Sequence, residues 1–346
     1  MKKSLFSFGT LLCSIAFSGS ALAAPVSGDW HDIRFQAAMK GLRVLDAHRT
    51  AKEALEYLKA NLYDSRQAAF QLQGVVRLYE KFGDDKKQKD ALDKIRQDVK
   101  RFEDALGLVD KWQAVADAAT ERGRSALPAQ REVRAAEAEL EKMLRAEGWL
   151  GGKRVGEIER FVRTMKRPDP SEDFKMVLKR LTKTLGAAVE GDYNMKVLGD
   201  ADKANESDPD VLGLHELRRK IRWFLIEARV SAGSVVFKPG SSCPVASEAP
   251  LLNVEALTKS ALLNYQVASP RMRSCEVSKC LVLSLAKTVE ALGKIKDEVE
   301  LENLMSGRHD DNVPAKFSAS ADKVYADFKR ANAGGILLKQ LESCEK

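Results

Sequence analysis

Two five-residue phrases carry the side chains best suited to hold an anion: Trp30-His31-Asp32-Ile33-Arg34 and Leu214-His215-Glu216-Leu217-Arg218. Each runs apolar, His, acid, apolar, Arg, in a chain of 346 residues with only four histidines. Residues three apart share one face of a helix, so each phrase presents an imidazole and a guanidinium together. A guanidinium is permanently charged, and its planar fork matches the oxygens of a phosphate or carboxylate. The chemistry expected of such a face, offered twice, is anion binding.

The second phrase extends into a stripe. With His215 as origin on a helical wheel, Arg218 lies near −60°, Arg219 near +40°, Arg222 near −20° and Arg229 near −40°, within about a third of the circumference. Like charges stacked in this way repel, so the stripe needs acids, water or an anionic ligand to screen it. The first phrase continues differently. Beyond His31 and Arg34 the same face carries Ala38, Leu42 and Leu45, which reads as a half-buried surface. His48 and His309 belong to other segments.

Signatures of catalysis are missing. His215-Glu216-Leu217-Arg218-Arg219 has an arginine where a zinc-binding HExxH helix needs its second histidine. Gly148, Gly151, Gly152 and Lys153 evoke a phosphate loop, but Glu147 and Arg154 stand where that loop needs glycine and Ser/Thr. This segment reads as a turn between helices. With no nucleophile–base pairing and no metal-ligand spacing, neither an enzyme, a cofactor nor a metal is expected. Lys175, Lys179 and Lys183, and the group Arg160, Arg163, Lys166 and Arg167, lie among acids and read as solvated faces.

The elements that must position the stripe are helices. Apolar residues recur at helical spacing almost throughout, predicting helices near 29–46, 50–62, 65–82, 86–106, 108–122, 128–147, 153–166, 171–189, 209–230, 253–267, 274–304, 316–331 and 334–343. Thr50 with Glu53 forms a capping box, and Pro128, Pro170 and Pro209 suit first-turn positions. Val235-Val236-Phe237 is the single strand candidate. Phe102–Gly107, Leu181–Gly186 and Thr288–Gly293 share a loose phrase ending in Leu-Gly, which reads as a helix terminus because glycine takes the left-handed conformation cheaply. Short connections imply antiparallel neighbours. The fold class expected is all-α, as two pseudo-symmetric antiparallel helical-bundle halves. The organisation expected is a signal peptide over 1–23, an N-terminal half over 24–190, a linker over 191–208 and a C-terminal half over 209–346.

Lys2 and Lys3, the apolar run from Leu5 to Phe17 and Ala21-Leu22-Ala23 have the pattern of a secretory signal. Its removal lowers the formal charge from +7 to about +5, mildly basic for a chain of this length, so an anion would be held by a local patch. No later stretch is apolar enough to span a membrane. Export, to a periplasm or to the medium, agrees with Cys243, Cys275, Cys280 and Cys344, an even set expected to form two disulfides. Three pairings are open. Cys275 and Cys280 would lie about 140° apart on one helix, so each is expected to reach a distant partner.

His-acid-Leu/Ile-Arg opening a helix in each half, together with helices ending in Leu-Gly, resembles the CHAD family, the conserved-histidine α-helical domain. Over about residues 29–344, the resemblance implies two four-helix-bundle halves related by a pseudo-twofold, with a basic groove between them and polyphosphate as ligand. On that basis the anion-binding residues expected are His215, Arg218, Arg219, Arg222, Arg229, His31 and Arg34. The ligand would be polyphosphate or another polyanion. The alternative is a structural or interaction protein of the cell envelope whose stripe meets an acidic protein partner or is satisfied internally.

Overall fold

The computed structural model describes residues 30–80, 82, 85–199, 212–238, 243–254, 273–307 and 312–345. The signal-like segment, Pro209, His309 and the body of the expected 253–267 helix lie outside the described residues.

The fold is all-α. Among the described residues the helices are α1 (Trp30–Lys40), α2 (Ala51–Ala60), α3 (Leu62–Tyr79), α4 (Lys86–Glu121), α5 (Leu127–Ala146), α6 (Lys153–Thr164), α7 (Pro170–Val189), α8 (Leu214–Val230), α9 (Lys279–Ser306), α10 (Ala315–Ala331) and α11 (Ala333–Glu345). Local chemistry accounts for several starts. Thr50 and Glu53 close a reciprocal capping box at α2, and Asp169 and Glu172 close another at α7 with Pro170 in the first turn. The Asp85 carboxylate accepts from the amides of Lys87 and Gln88 to open α4. Each such cap stabilises its helix by about 1 kcal/mol.

Tertiary packing shifted several boundaries. The break expected at Gly107 is absent: α4 runs unbroken for 36 residues, about 54 Å at the helical rise. Gly186 and Gly293 likewise lie inside α7 and α9. The Leu-Gly phrases therefore mark helix interiors, and two of these glycines have a packing role described below. The segment expected as helix 29–46 divides into α1 and a 3-10 turn, Arg43–Ala47. The Gly148–Lys153 segment forms a turn in which Gly148, Gly151 and Gly152 all have positive φ.

Two short parallel strand pairs punctuate the helices. β1 (Tyr193–Asn194) pairs with β2 (Leu212–Gly213) just before α8. Gly213 passes so close to Gly199 that a Cβ on Gly199 would sit 2.5 Å from the Gly213 nitrogen. Among the described residues α8 begins at Leu214, directly after β2. β3 (Val235–Lys238) pairs with β4 (Cys275–Ser278), so Cys275 lies on a strand and Cys280 on α9. Their expected placement on one helix is corrected, while the conclusion drawn from it stands. The disulfides are Cys243–Cys280 and Cys275–Cys344, with Cα separations of 5.9 and 5.6 Å. They fit an oxidising compartment. No helix among the described residues is long and apolar enough to cross a membrane.

The main hydrophobic core draws on residues from Phe35 to Leu341, with smaller clusters beside it. α8 packs on α3, α7 and α9, and α7 packs on α11. Elements from both sides of the expected 191–208 linker thus share one interior. Glu227 fixes how α8 is turned. Its sealed carboxylate accepts from Arg77 of α3 at 2.8 Å, and from Arg180 and Thr184 of α7 at 2.9 and 2.7 Å. Arg77 also covers the Trp223 ring at 4.2 Å. A buried carboxylate must be compensated by close donors, so α8 cannot roll without breaking these bonds.

Candidate anion-binding site

The two histidine phrases do not meet. Arg34 donates to the Ser231 carbonyl, just beyond the C-terminal end of α8, whereas His215 opens that helix. The phrases thus stand at opposite ends of α8, about 25 Å apart for 17 residues.

The first phrase belongs to the interior. His31 is fully buried, its ring 5.0 Å from those of Phe35 and Tyr79. Arg34 grips Asp173 of α7 through two bonds of 2.6 and 2.7 Å, both side chains sealed from solvent. It also donates to Tyr79, Ser231 and Ser234. Burial alone would lower the pKa of Arg34, but Tyr79 and Asp173 overcome it and hold the guanidinium charged. The expectation that His31 and Arg34 bind an external anion is corrected: both are enclosed, and Arg34 already has its carboxylate. Its charge also lies at the C-terminal end of α8, where the helix dipole favours a cation.

The second phrase builds a cluster between α8, α3, α4 and α9. His215, Arg218, Arg219, Arg222 and Arg229 are all half-buried. Arg219 pairs with Glu216 at 2.7 Å. Arg229 lies further along α8, where the Gln71 amide, oriented with its oxygen toward the guanidinium, accepts from both terminal nitrogens at 2.9 Å. Arg218 and Arg222 differ from these. Neither has a carboxylate within ion-pair distance or a hydrogen bond among the described residues, and the Nε of each is sealed without a partner. Their terminal nitrogens are not sealed in that way.

Each of these two forks has a built seat. The Arg218 guanidinium lies against Gly293 of α9, its Nε 3.0 Å from where a Cβ would stand. Arg222 lies over the Phe70 ring of α3 at 4.7 Å, an attractive cation–π arrangement. Beside them Arg66 of α3 rests on Gly107 of α4, its terminal nitrogen 3.1 Å from the position of a missing Cβ. Glu103 and Asp110 pair with Arg66 at 2.7 and 2.8 Å. Two Leu-Gly phrases therefore do one job, which is to remove a side chain from a helix interior so that an arginine from the facing helix can lie flat.

The electrostatics follow from burial and crowding. Burial, then Arg218, lowers the pKa of Arg222 to about 10, Arg66 and Arg219 adding to the effect and Glu103 opposing it. Burial also lowers that of Arg218, opposed by Asp297 and Glu300. Burial first, then Lys296 and the three neighbouring arginines, push His215 down to about 3. At neutral pH the imidazole is uncharged, so it offers a hydrogen bond rather than a charge. Its Nδ1 is buried without a partner. Asp297 is shifted upward by burial, against Lys296 and Arg218. Lys296 pairs with Glu300 at 2.7 Å. The arrangement can therefore accept negative charge at two unfilled forks within a rim of acids.

Sequence reasoning missed Arg66, Phe70 and Lys296, which lie on other helices, and it misassigned the role of Gly107 and Gly293. The Leu-Gly repeat was the available signal for the glycines. No comparable signal marked Arg66. A surface depression of about 400 Å³ beside the Gly151-Gly152 turn is lined in part by Lys153, Arg160 and Arg163. No cluster of His, Cys, Asp or Glu among the described residues is arranged to hold a metal. In comparisons with known proteins, no family model, no curated protein and no solved structure matches this chain.

Proposed function

We propose that this is an exported, CHAD-like helical protein, periplasmic or secreted, that binds polyphosphate or a related polyanion through α8, with no catalytic step. The observation that carries the reading is the pair Arg218 and Arg222: two half-buried guanidinia, each seated by a neighbouring helix, neither answered by a carboxylate. An unpaired buried charge is costly, and an anion arriving at the forks removes that cost. The neutral imidazole of His215 stands beside the pair. The reading draws for its ligand on the CHAD resemblance of the second His-acid-Leu-Arg phrase, which opens α8.

The test is retention on immobilised polyphosphate. Arg218→Ala with Arg222→Ala should abolish retention at low salt and leave helical circular dichroism unchanged. Retention of the wild type should fall steeply as salt rises, because phosphate contacts release counterions. Equal retention by variant and wild type would overturn the assignment. The alternative, an envelope scaffold whose stripe meets an acidic protein, draws on the internal pairing of Arg219 and Arg34. It requires a single protein partner from envelope extract and no bound phosphate polymer.

A further inference from the structure

Resting on that reading, we propose that the α8 site takes one terminal phosphoryl group, free or at the end of a chain, rather than a polymer laid lengthwise. Three observations lead there. First, the capacity is small. Of the stripe's arginines, Arg219 is closed on Glu216 and Arg229 on Gln71, which leaves Arg218 and Arg222 without an ion pair among the described residues.

Second, the two forks are fixed in place. Positions four apart on a helix have Cβ atoms about 6 Å from one another, and both guanidinia are held, one on Gly293 and one on Phe70. The Arg218 charge acts on Arg222, so a single oxyanion between the two answers both charges. A terminal phosphoryl group carries nearly two negative charges and three strong acceptor oxygens. An interior phosphate of a chain carries one charge and two such oxygens, and so leaves one fork short.

Third, the surroundings repel a second anion. Asp110 and Glu103 hold Arg66 on one side, and Asp297 and Glu300 flank Lys296 on the other. Each of those cations has two carboxylates near it, so the flanks carry surplus negative charge. A neighbouring phosphate lying along the helix faces that surplus. The rest of the ligand must leave toward solvent.

The experiment is calorimetric titration of the full chain, freed of its leader, with inorganic phosphate, linear tripolyphosphate, cyclic trimetaphosphate and long-chain polyphosphate. Trimetaphosphate is a ring and has no terminal group. End recognition requires that inorganic phosphate and tripolyphosphate bind, that trimetaphosphate binds weaker by about tenfold or more, and that long chains load one protein per end. The salt slope should correspond to about two phosphate contacts. Gly293→Ala, which displaces the Arg218 fork without removing a charge, should weaken tripolyphosphate by about tenfold. Arg222→Lys, which keeps the charge and loses the fork, should do the same. Trimetaphosphate binding as well as the linear chain, or many proteins loading along one long chain, overturns end recognition and leaves polyanion binding standing. No binding of any of the four overturns both.

Discussion

Replacing Asp173 by Asn tests the physics of the first histidine phrase. The pair it breaks is fully sealed, with side-chain exposures of 0% on both partners. Asn keeps the shape of Asp and can accept one bond, but it leaves the Arg34 charge without its counter-ion. Arg34 retains only Tyr79, the Ser231 carbonyl and Ser234. Removing one partner of a buried pair costs about 3–5 kcal/mol, against a total stability of about 5–15 kcal/mol for a folded domain. With a urea slope of about 3 kcal/mol per molar, the midpoint at neutral pH should fall by about 1–1.7 M. The double replacement Arg34→Met with Asp173→Leu removes both charges and fills the space. It should lose far less, because a buried pair exchanged for apolar residues is often close to neutral. A midpoint for Asp173→Asn within about 0.3 M of wild type, or a double variant as weak as the single, would refute the claim that an enclosed, compensated charge holds α1, α7 and the end of α8 together.

Two further outcomes concern His215 and the disulfides. The imidazole titrates near 3 in the folded protein and near 6.5 when unfolded. The unfolded chain therefore binds the extra proton between those values. The contribution of His215 is complete above about pH 6.5 and is lost as pH falls toward 3, with a slope of up to about 1.4 kcal/mol per pH unit. Urea midpoints from pH 7 to 4 should show this slope, His215→Gln should flatten it, and proton NMR should find the ring still neutral at pH 5. An imidazole that titrates near 6.5 in the folded state would refute the burial argument. Cys275–Cys344 spans 69 residues and Cys243–Cys280 spans 37. Loop-closure entropy makes each worth about 2–4 kcal/mol, the longer by about 0.5 more. The pair Cys275→Ser with Cys344→Ser should therefore lower the urea midpoint more than Cys243→Ser with Cys280→Ser.

Much of the framework was legible because local chemistry wrote it. Capping residues at Thr50 and Asp169, and apolar spacing along α5, α7 and α8, depend only on near neighbours in the chain. The strand at Val235–Phe237 was visible, but its partner at Cys275–Ser278 was not, since pairing across forty residues leaves no local trace. The Leu-Gly phrases misled for a related reason. A glycine that ends a helix and one that makes room for a facing arginine look alike until the facing helix is known.

By itself the sequence determined the helical class, the even cysteine set and the concentration of His215, Arg218, Arg219 and Arg222 on one helix face. These follow from periodicity and residue type. Only the tertiary structure decided that Arg34 is sealed on Asp173, that Arg219 and Arg229 are engaged, and that Arg218 and Arg222 are not. Arg219 finds its carboxylate three residues away on the same helix, but for the other arginines the answer depends on carboxylates and amides brought from distant segments, and the packing of α3, α4, α7 and α9 around α8 sets those distances.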